Sequence, residues 1–320
     1  MRASRTALPT YVALVLVVTA IFLVGGCRRT GRSAPATGGA DRSESIMSGG
    51  RERTFTVHVP PSYNGSASLP LVLAYHGHGG DGAGMARLTG MDAVADSGGF
   101  LVVYPDGIDR GWNDGRGINE GIDDVGFTRE MVSRLETQYK IDRKRVFATG
   151  ISNGGFMCFR LACDAPDLVA AVAPVAAAMS DALAKNNRST APVSVLVING
   201  TADPFVPWNG GVIGSTAGGR GIALSAQATI DYWVALDGCP ATPVVSGLPD
   251  TDPADGTRVT QSSYGGGRDG TGVVLLAGDG GGHAWPAGRQ YLPVRVIGRT
   301  SRDVTASQYI WEFFKGHPKQ

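Results

Sequence analysis

Cysteine is scarce, with four residues in 320 at Cys27, Cys158, Cys163 and Cys239, and they form no CxxC pair. The five histidines, His58, His76, His78, His283 and His317, are mostly scattered and offer no pair at zinc spacing, so the chain presents no metal-ligand cluster. Charge of one sign is also lacking: 29 Lys and Arg stand against 28 Asp and Glu, a balance that argues against a nucleic-acid surface. Internal repeats are absent. What is plentiful is apolar and flexible residue content. Hydrophobic residues make up 42% of the chain, enough to bury a large core, and 47 glycines suit a sheet-based enzyme whose loops need tight turns and close backbone approach.

The first residues read as an address. Arg2 and Arg5 precede an apolar run from about Tyr11 to Val24, the basic-then-apolar order of a secretory signal, and the run is short for a membrane span. It ends in Val24-Gly25-Gly26-Cys27, which resembles a bacterial lipobox. Residues 1–26 are therefore expected to be a lipoprotein-type signal peptide, with Cys27 lipidated and the exported protein held at the cell envelope by that anchor. Residues 27–50 are polar, rich in Gly, Ser and Ala, and without periodicity, so they read as a flexible tether ahead of a catalytic domain at 51–320.

From there apolar runs alternate with amphipathic ones. Strands are expected over Thr54 to Val59, Leu71 to Tyr75, Phe100 to Tyr104, Arg145 to Thr149, Ala170 to Val175, Val193 to Ile198 and Val273 to Ala277. Several are continuous aliphatic runs, which suits strands of a parallel sheet covered on both faces. Helices are expected over Gly121 to Tyr139, Ser152 to Cys163, Ser225 to Leu236 and Ser301 to Phe314. The alternation predicts one α/β domain with a mostly parallel, doubly wound sheet flanked by helices. The Gly-rich stretches Asn209 to Gly221 and Gly247 to Gly270 read as surface excursions.

Thr149-Gly150-Ile151-Ser152-Asn153-Gly154-Gly155 carries the strongest chemical signal, because it joins a strand to a helix. A nucleophile on such a turn has crowded backbone neighbours, so glycine is required two residues before and two after it. A serine hydroxyl needs a base. His283, in the glycine-rich loop after the last expected strand, is the candidate. Asp203 follows the strand Val193 to Ile198 and would orient the imidazole, giving the chain order Ser152, Asp203, His283. Asp231, Asp237 and Asp279 are the alternatives. Oxyanion donors are expected from the backbone N–H of Asn153 and from the loop Tyr75-His76-Gly77-His78-Gly79-Gly80, with His78 first and His76 bracing the loop.

These residues together carry a resemblance. His76-Gly77, Tyr104-Pro105-Asp106-Gly107, Trp112-Asn113, Asp123-Asp124-Val125-Gly126-Phe127, Ser152-Asn153-Gly154-Gly155, Asn199-Gly200-Thr201-Ala202-Asp203 and Gly282-His283-Ala284-Trp285-Pro286 resemble the polyhydroxybutyrate depolymerase and feruloyl esterase family. That family belongs with the type-1 carboxylesterases and includes lipoprotein esterases. The resemblance runs from about Arg53 to Phe314. It implies an α/β-hydrolase fold, no cofactor and no metal, and ester bonds of plant-wall phenolics, acetylated sugars or short polyesters as substrates. Relatives often carry a cysteine in the stretch matching Tyr264-Gly265-Gly266-Gly267. None stands there in this chain, so a disulfide from Cys239 to that segment cannot form, and Cys163 to Cys239 or buried free thiols remain open.

Trp112, Trp208 and Trp285 fall in loops at the expected catalytic end, where they would either stack on a substrate ring or pack in the core. Acyl transfer by the same triad, and noncatalytic binding on a hydrolase scaffold, are the competing functions.

Overall fold

The computed structural model describes residue 39 and residues 41–320, except 188 and 215–219. Cys27, the expected signal and most of the expected tether lie outside the described residues. The strands are β1 (Asp41–Ser48), β2 (Arg51–His58), β3 (Leu69–Tyr75), β4 (Leu101–Pro105), β5 (Ile141–Ile151), β6 (Ala171–Val175), β7 (Ser194–Gly200), β8 (Gly211–Val212), β9 (Ile222–Ala223), β10 (Val244–Gly247), β11 (Arg258–Tyr264) and β12 (Val273–Asp279). The helices are α1 (Gly82–Thr89), α2 (Met91–Gly98), α3 (Asp124–Glu136), α4 (Asn153–Asp164), α5 (Asp181–Asn186), α6 (Ala226–Asp237), α7 (Val294–Ile297) and α8 (Ala306–Gly316).

All but β8 and β9 join one sheet in the order β1-β2-β4-β3-β5-β6-β7-β12-β11-β10. Neighbours from β4 through β12 pair in parallel, and antiparallel strands close both edges. Alternation along β3 shows how the apolar runs are used. Leu71, Leu73 and Tyr75 face one core, shared with Phe127, Met131 and Trp233 of α3 and α6, while Val72 and Ala74 face a second, with Met91 of α2 and Phe314 of α8. Both faces are covered, which is why β4, β6 and the middle of β7 are continuous apolar runs. This is the mostly parallel, helix-flanked architecture expected from the sequence.

The expected boundary at residue 51 needs correction, because Asp41–Ser48 is a strand in full antiparallel register with β2. Gly49 and Gly50, with φ of 55° and 74°, form the two-residue turn between them, a conformation glycine adopts without penalty. An edge strand with one half-buried face needs few apolar residues, so its Asp, Arg, Ser and Glu content reads as a linker. The second Gly-rich stretch also differs from a plain excursion, since it contains β11, paired with β12 from Arg258 to Tyr264. Cys158, Cys163 and Cys239 are all buried free thiols, so the Cys163 to Cys239 bridge does not form.

Candidate active site

Chain direction reverses sharply where β5 meets α4. Ser152 sits there at φ 55° and ψ −121°, a strained backbone for a residue with a side chain. The surrounding glycines are sterically required. A Cβ on Gly150 would lie 2.6 Å from the carbonyl carbon of Gly154, and one on Gly154 would lie 2.2 Å from the oxygen of Tyr75. The Ser152 N–H donates to the Val175 oxygen at 2.9 Å, tying the turn to β6.

Asp203 lies beyond the end of β7, buried to 9% exposure, and its two oxygens have separate duties. Oδ1 accepts from the amides of Phe205 and Val206 at 2.8 and 2.9 Å, which leaves Oδ2 to accept from His283 Nδ1 at 2.7 Å. With the proton held on Nδ1, Nε2 is the basic nitrogen of the ring. His283 is 5% exposed and fixed from three further directions. Its amide donates to the Ile297 oxygen at 2.6 Å, its carbonyl accepts from the Tyr291 hydroxyl at 2.9 Å, and the Phe205 ring meets the imidazole edge-on at 5.2 Å. The other aspartates are engaged elsewhere. Asp231 accepts from Gln227, Asp279 from Thr201, and Asp237 from the Val193 amide, its carboxyl raised to about 7 by burial.

Ser152 and His283 line one cavity of about 440 Å³, together with Asn153 and the loop after β3. A Cβ on Gly77 would lie 3.5 Å from that of Ser152, so this loop passes directly beside the hydroxyl. The amide of Gly79 is spent on the Arg110 oxygen and that of Gly80 on the Gly77 oxygen, which narrows the donors toward Ser152 to the Gly77–His78 part of the loop. His76 is buried and both its nitrogens are engaged, Nδ1 with the Gly77 oxygen at 2.8 Å and Nε2 with the Gly107 amide at 3.0 Å. Burial lowers its pKa, consistent with a neutral ring that donates through one nitrogen and accepts through the other. Asn153 locks the opposite wall through its side chain, which exchanges two hydrogen bonds with the Trp112 backbone and reaches Asp114 at 2.6 Å.

The three tryptophans are not part of the cavity lining, a correction to the expectation that they hold substrate. Trp112 is fully buried, edge-on to Tyr75, with its indole N–H donating to the His76 oxygen at 2.9 Å. Trp285 is 1% exposed and donates to the Ser307 hydroxyl. Trp208 packs partly buried against the core. Each is a large ring used as internal bracing, and two spend their polar edge on a protein acceptor. Apolar walls come instead from residues the sequence did not single out, among them Phe205, Ile213, Leu292 and Ile297, with Arg116 and Arg220 as cationic members.

Residues 45–209 match the family described as "Putative esterase". The chain is 30% identical to "Putative esterase NocK" of Nocardia uniformis subsp. tsuyamanensis over 88% of its own length and 85% of that protein. The chain belongs to this esterase family. It is thus a carboxylic ester hydrolase. Identity is 29% to "Feruloyl esterase D" of Neurospora crassa, over 83% of this chain and 82% of that one. It is 27% to "Feruloyl esterase B" of Piromyces equi, where 72% of this chain matches but only 42% of the relative is spanned. Among solved structures, the acetyl xylan esterase from Aspergillus awamori superposes with a TM-score of 0.54 over 86% of this chain and 99% of that one at 17% identity, which supports the α/β-hydrolase fold.

Proposed function

We propose that this esterase works through a Ser152–His283–Asp203 triad and a covalent acyl-enzyme. The observation that carries the reading is the buried 2.7 Å hydrogen bond from His283 to Asp203 in a ring that shares a cavity with the strained Ser152. Ser152 Oγ attacks the ester carbonyl while its proton passes to His283 Nε2. Asp203 stabilises the resulting imidazolium and stays ionised. The oxyanion is held by the amides of Asn153 and His78, donors already oriented before charge develops. Collapse expels the alcohol, which takes the proton from His283. Water then enters by the same route in reverse, and the acid leaves.

Feruloyl, acetyl or short 3-hydroxyalkanoate esters are the substrates favoured by the resemblance and by the relatives' names. Transfer to a sugar would use the same intermediate, and acceptor competition separates it from hydrolysis. Purified protein assayed on methyl ferulate, acetylated xylan, p-nitrophenyl acetate and 3-hydroxybutyrate oligomers tests the reading, and failure on all four would reject it. For localisation we propose export with a lipid on Cys27, from the lipobox. No helix among the described residues is long and apolar enough to cross a membrane. Mass spectrometry of the mature N-terminus decides it, and an unmodified terminus elsewhere would reject lipidation.

A further inference from the structure

The charged members of the cavity lining are unequally compensated. Arg116 is bound to the fully buried Asp114 at 2.5 Å and lies over the Phe156 ring, so its charge is matched. Asp81 is matched too, by Arg110 at 3.0 Å and by the Gly84 amide. Arg220 differs. Among the described residues no carboxylate or carbonyl takes its guanidinium, although its backbone is firmly positioned. Its amide donates to the Ile213 oxygen at 2.9 Å and its own carbonyl accepts from Arg116 at 3.0 Å, which fastens it beside the β8–β9 hairpin at the cavity. Arg220 itself is exposed, so water solvates its guanidinium in the free protein, while the other walls of the cavity are largely apolar. His78 reports the resulting field, because burial first and then the charges of Arg220 and Arg116 lower its pKa.

Resting on the esterase reading, we propose that the cavity selects esters bearing one carboxylate a few bonds from the scissile group, with Arg220 as the specificity-determining residue. A guanidinium fork matches a planar carboxylate in charge and shape. A monoanion is favoured over a phosphate dianion because only one cation is uncompensated, while Asp81 and Asp114 stand nearby.

The test compares each carboxylate ester with its carboxamide isostere by pH-stat. The acyl arm uses monoethyl glutarate against ethyl 4-carbamoylbutanoate, and the alcohol arm uses 3-acetoxybutanoate against 3-acetoxybutanamide. In at least one arm kcat/KM is expected to favour the carboxylate about tenfold, mainly through KM, a loss typical of a charge-assisted hydrogen bond. The ratio should fall toward one in Arg220→Gln, persist in Arg220→Lys, and shrink at high salt. A ratio near one in both arms with the wild-type protein overturns the proposal and leaves the esterase reading intact, as does a preference that Arg220→Gln does not change. Failure to turn over either member of both pairs would count against hydrolysis itself and take this proposal with it.

Discussion

Replacing Asp203 with asparagine exploits the division of labour between its two oxygens. Oδ1 is held by the Phe205 and Val206 amides, so the asparagine oxygen must remain there as the acceptor and its NH2 must face His283 Nδ1. Nδ1 then has to accept, the ring proton moves to Nε2, and the nitrogen needed as base is blocked. The fold loses little, because the turn keeps both hydrogen bonds. The rate loses much: the wrong tautomer together with the missing negative charge should lower kcat by about 10³-fold, equivalent to about 4 kcal/mol of transition-state stabilisation, with KM changed much less. Asp203→Ala should add a drop in Tm, because it also frees the two amides. The assay is steady-state hydrolysis of p-nitrophenyl acetate beside a thermal melt, with Asp279→Asn as control. Near-normal kcat in Asp203→Asn beside a crippled Asp279→Asn would refute the assignment.

Three further outcomes follow from other parts of the molecule. Ser152→Gly should abolish turnover and fluorophosphonate labelling yet raise Tm, since glycine tolerates φ 55° and ψ −121° where serine is strained by about 1–3 kcal/mol; an unchanged or lower Tm would deny the strain. His58 is gripped by Asp41 at 2.8 Å and Asp96 at 2.9 Å, and these hydrogen bonds with the Asp92 charge outweigh the lowering from burial, so its pKa is raised. Its stabilisation is complete below the unfolded value near 6.5 and is lost as pH rises through the folded value. Asp237, raised by burial, falls in the same direction, so the readout is the Tm gap between wild type and His58→Gln, expected to be wide at pH 5.5 and narrow at pH 8.5; a constant gap would refute it. Finally, a Cβ on Gly267 would stand 2.8 Å from Cys239 Sγ, within reach of a disulfide, but also 2.5 Å from Thr271 Oγ1, which must yield, and 2.9 Å from the Thr271 backbone oxygen, which requires a small backbone shift. Gly267→Cys with Thr271→Ala should therefore form the cross-link that this chain lacks, closing a loop of about 29 residues for at most roughly 3–4 kcal/mol. Equal Tm with and without reductant, or titration in denaturant of Cys239 and the introduced thiol alongside Cys158 and Cys163, would show that it does not close.

The legible part of the fold is the part buried on both faces. β3, β4, β6, β7 and β12 pair on both sides within the sheet, so each carries a continuous apolar run, and the run itself reveals the strand. β5 was visible only in its second half, because Ile141–Arg145 is partly exposed while Val146–Ile151 is buried. β1 and β11 follow a different rule. Each satisfies its backbone against a neighbour while leaving one face outside, and that pattern in a Ser-, Arg- and Gln-containing segment carries little periodic signal. The one local clue to β1 was Gly49-Gly50, a hairpin turn sequence, overshadowed by the linker-like composition before it.

Ser152, Asp203 and His283 were legible for a reason that does not extend to the rest of the cavity. Each sits where backbone geometry demands particular neighbours: Gly150 and Gly154 crowd against each other and Tyr75, and Gly200 at the end of β7 packs against Gly281 so closely that a Cβ would lie 2.2 Å from its oxygen. Such steric demands are written in residue type. The specificity surface has no equivalent, because a tryptophan in a loop is equally suited to stacking on a substrate or bracing the core. Trp112 chose the core only because the His76 carbonyl and the Tyr75 ring complete its surroundings. Arg220 gives the opposite case. It lies in a Gly-rich stretch that reads as excursion, and it reaches the cavity only because Ile213 pairs with it across the hairpin and Arg116 holds its carbonyl. The residues of the proposed triad are therefore marked by local sequence, whereas the cavity wall depends on which distant segments the fold brings to it. Substitutions that retune substrate choice should accordingly lie in the β8–β9 hairpin and the Tyr291–Ile297 segment rather than beside Ser152.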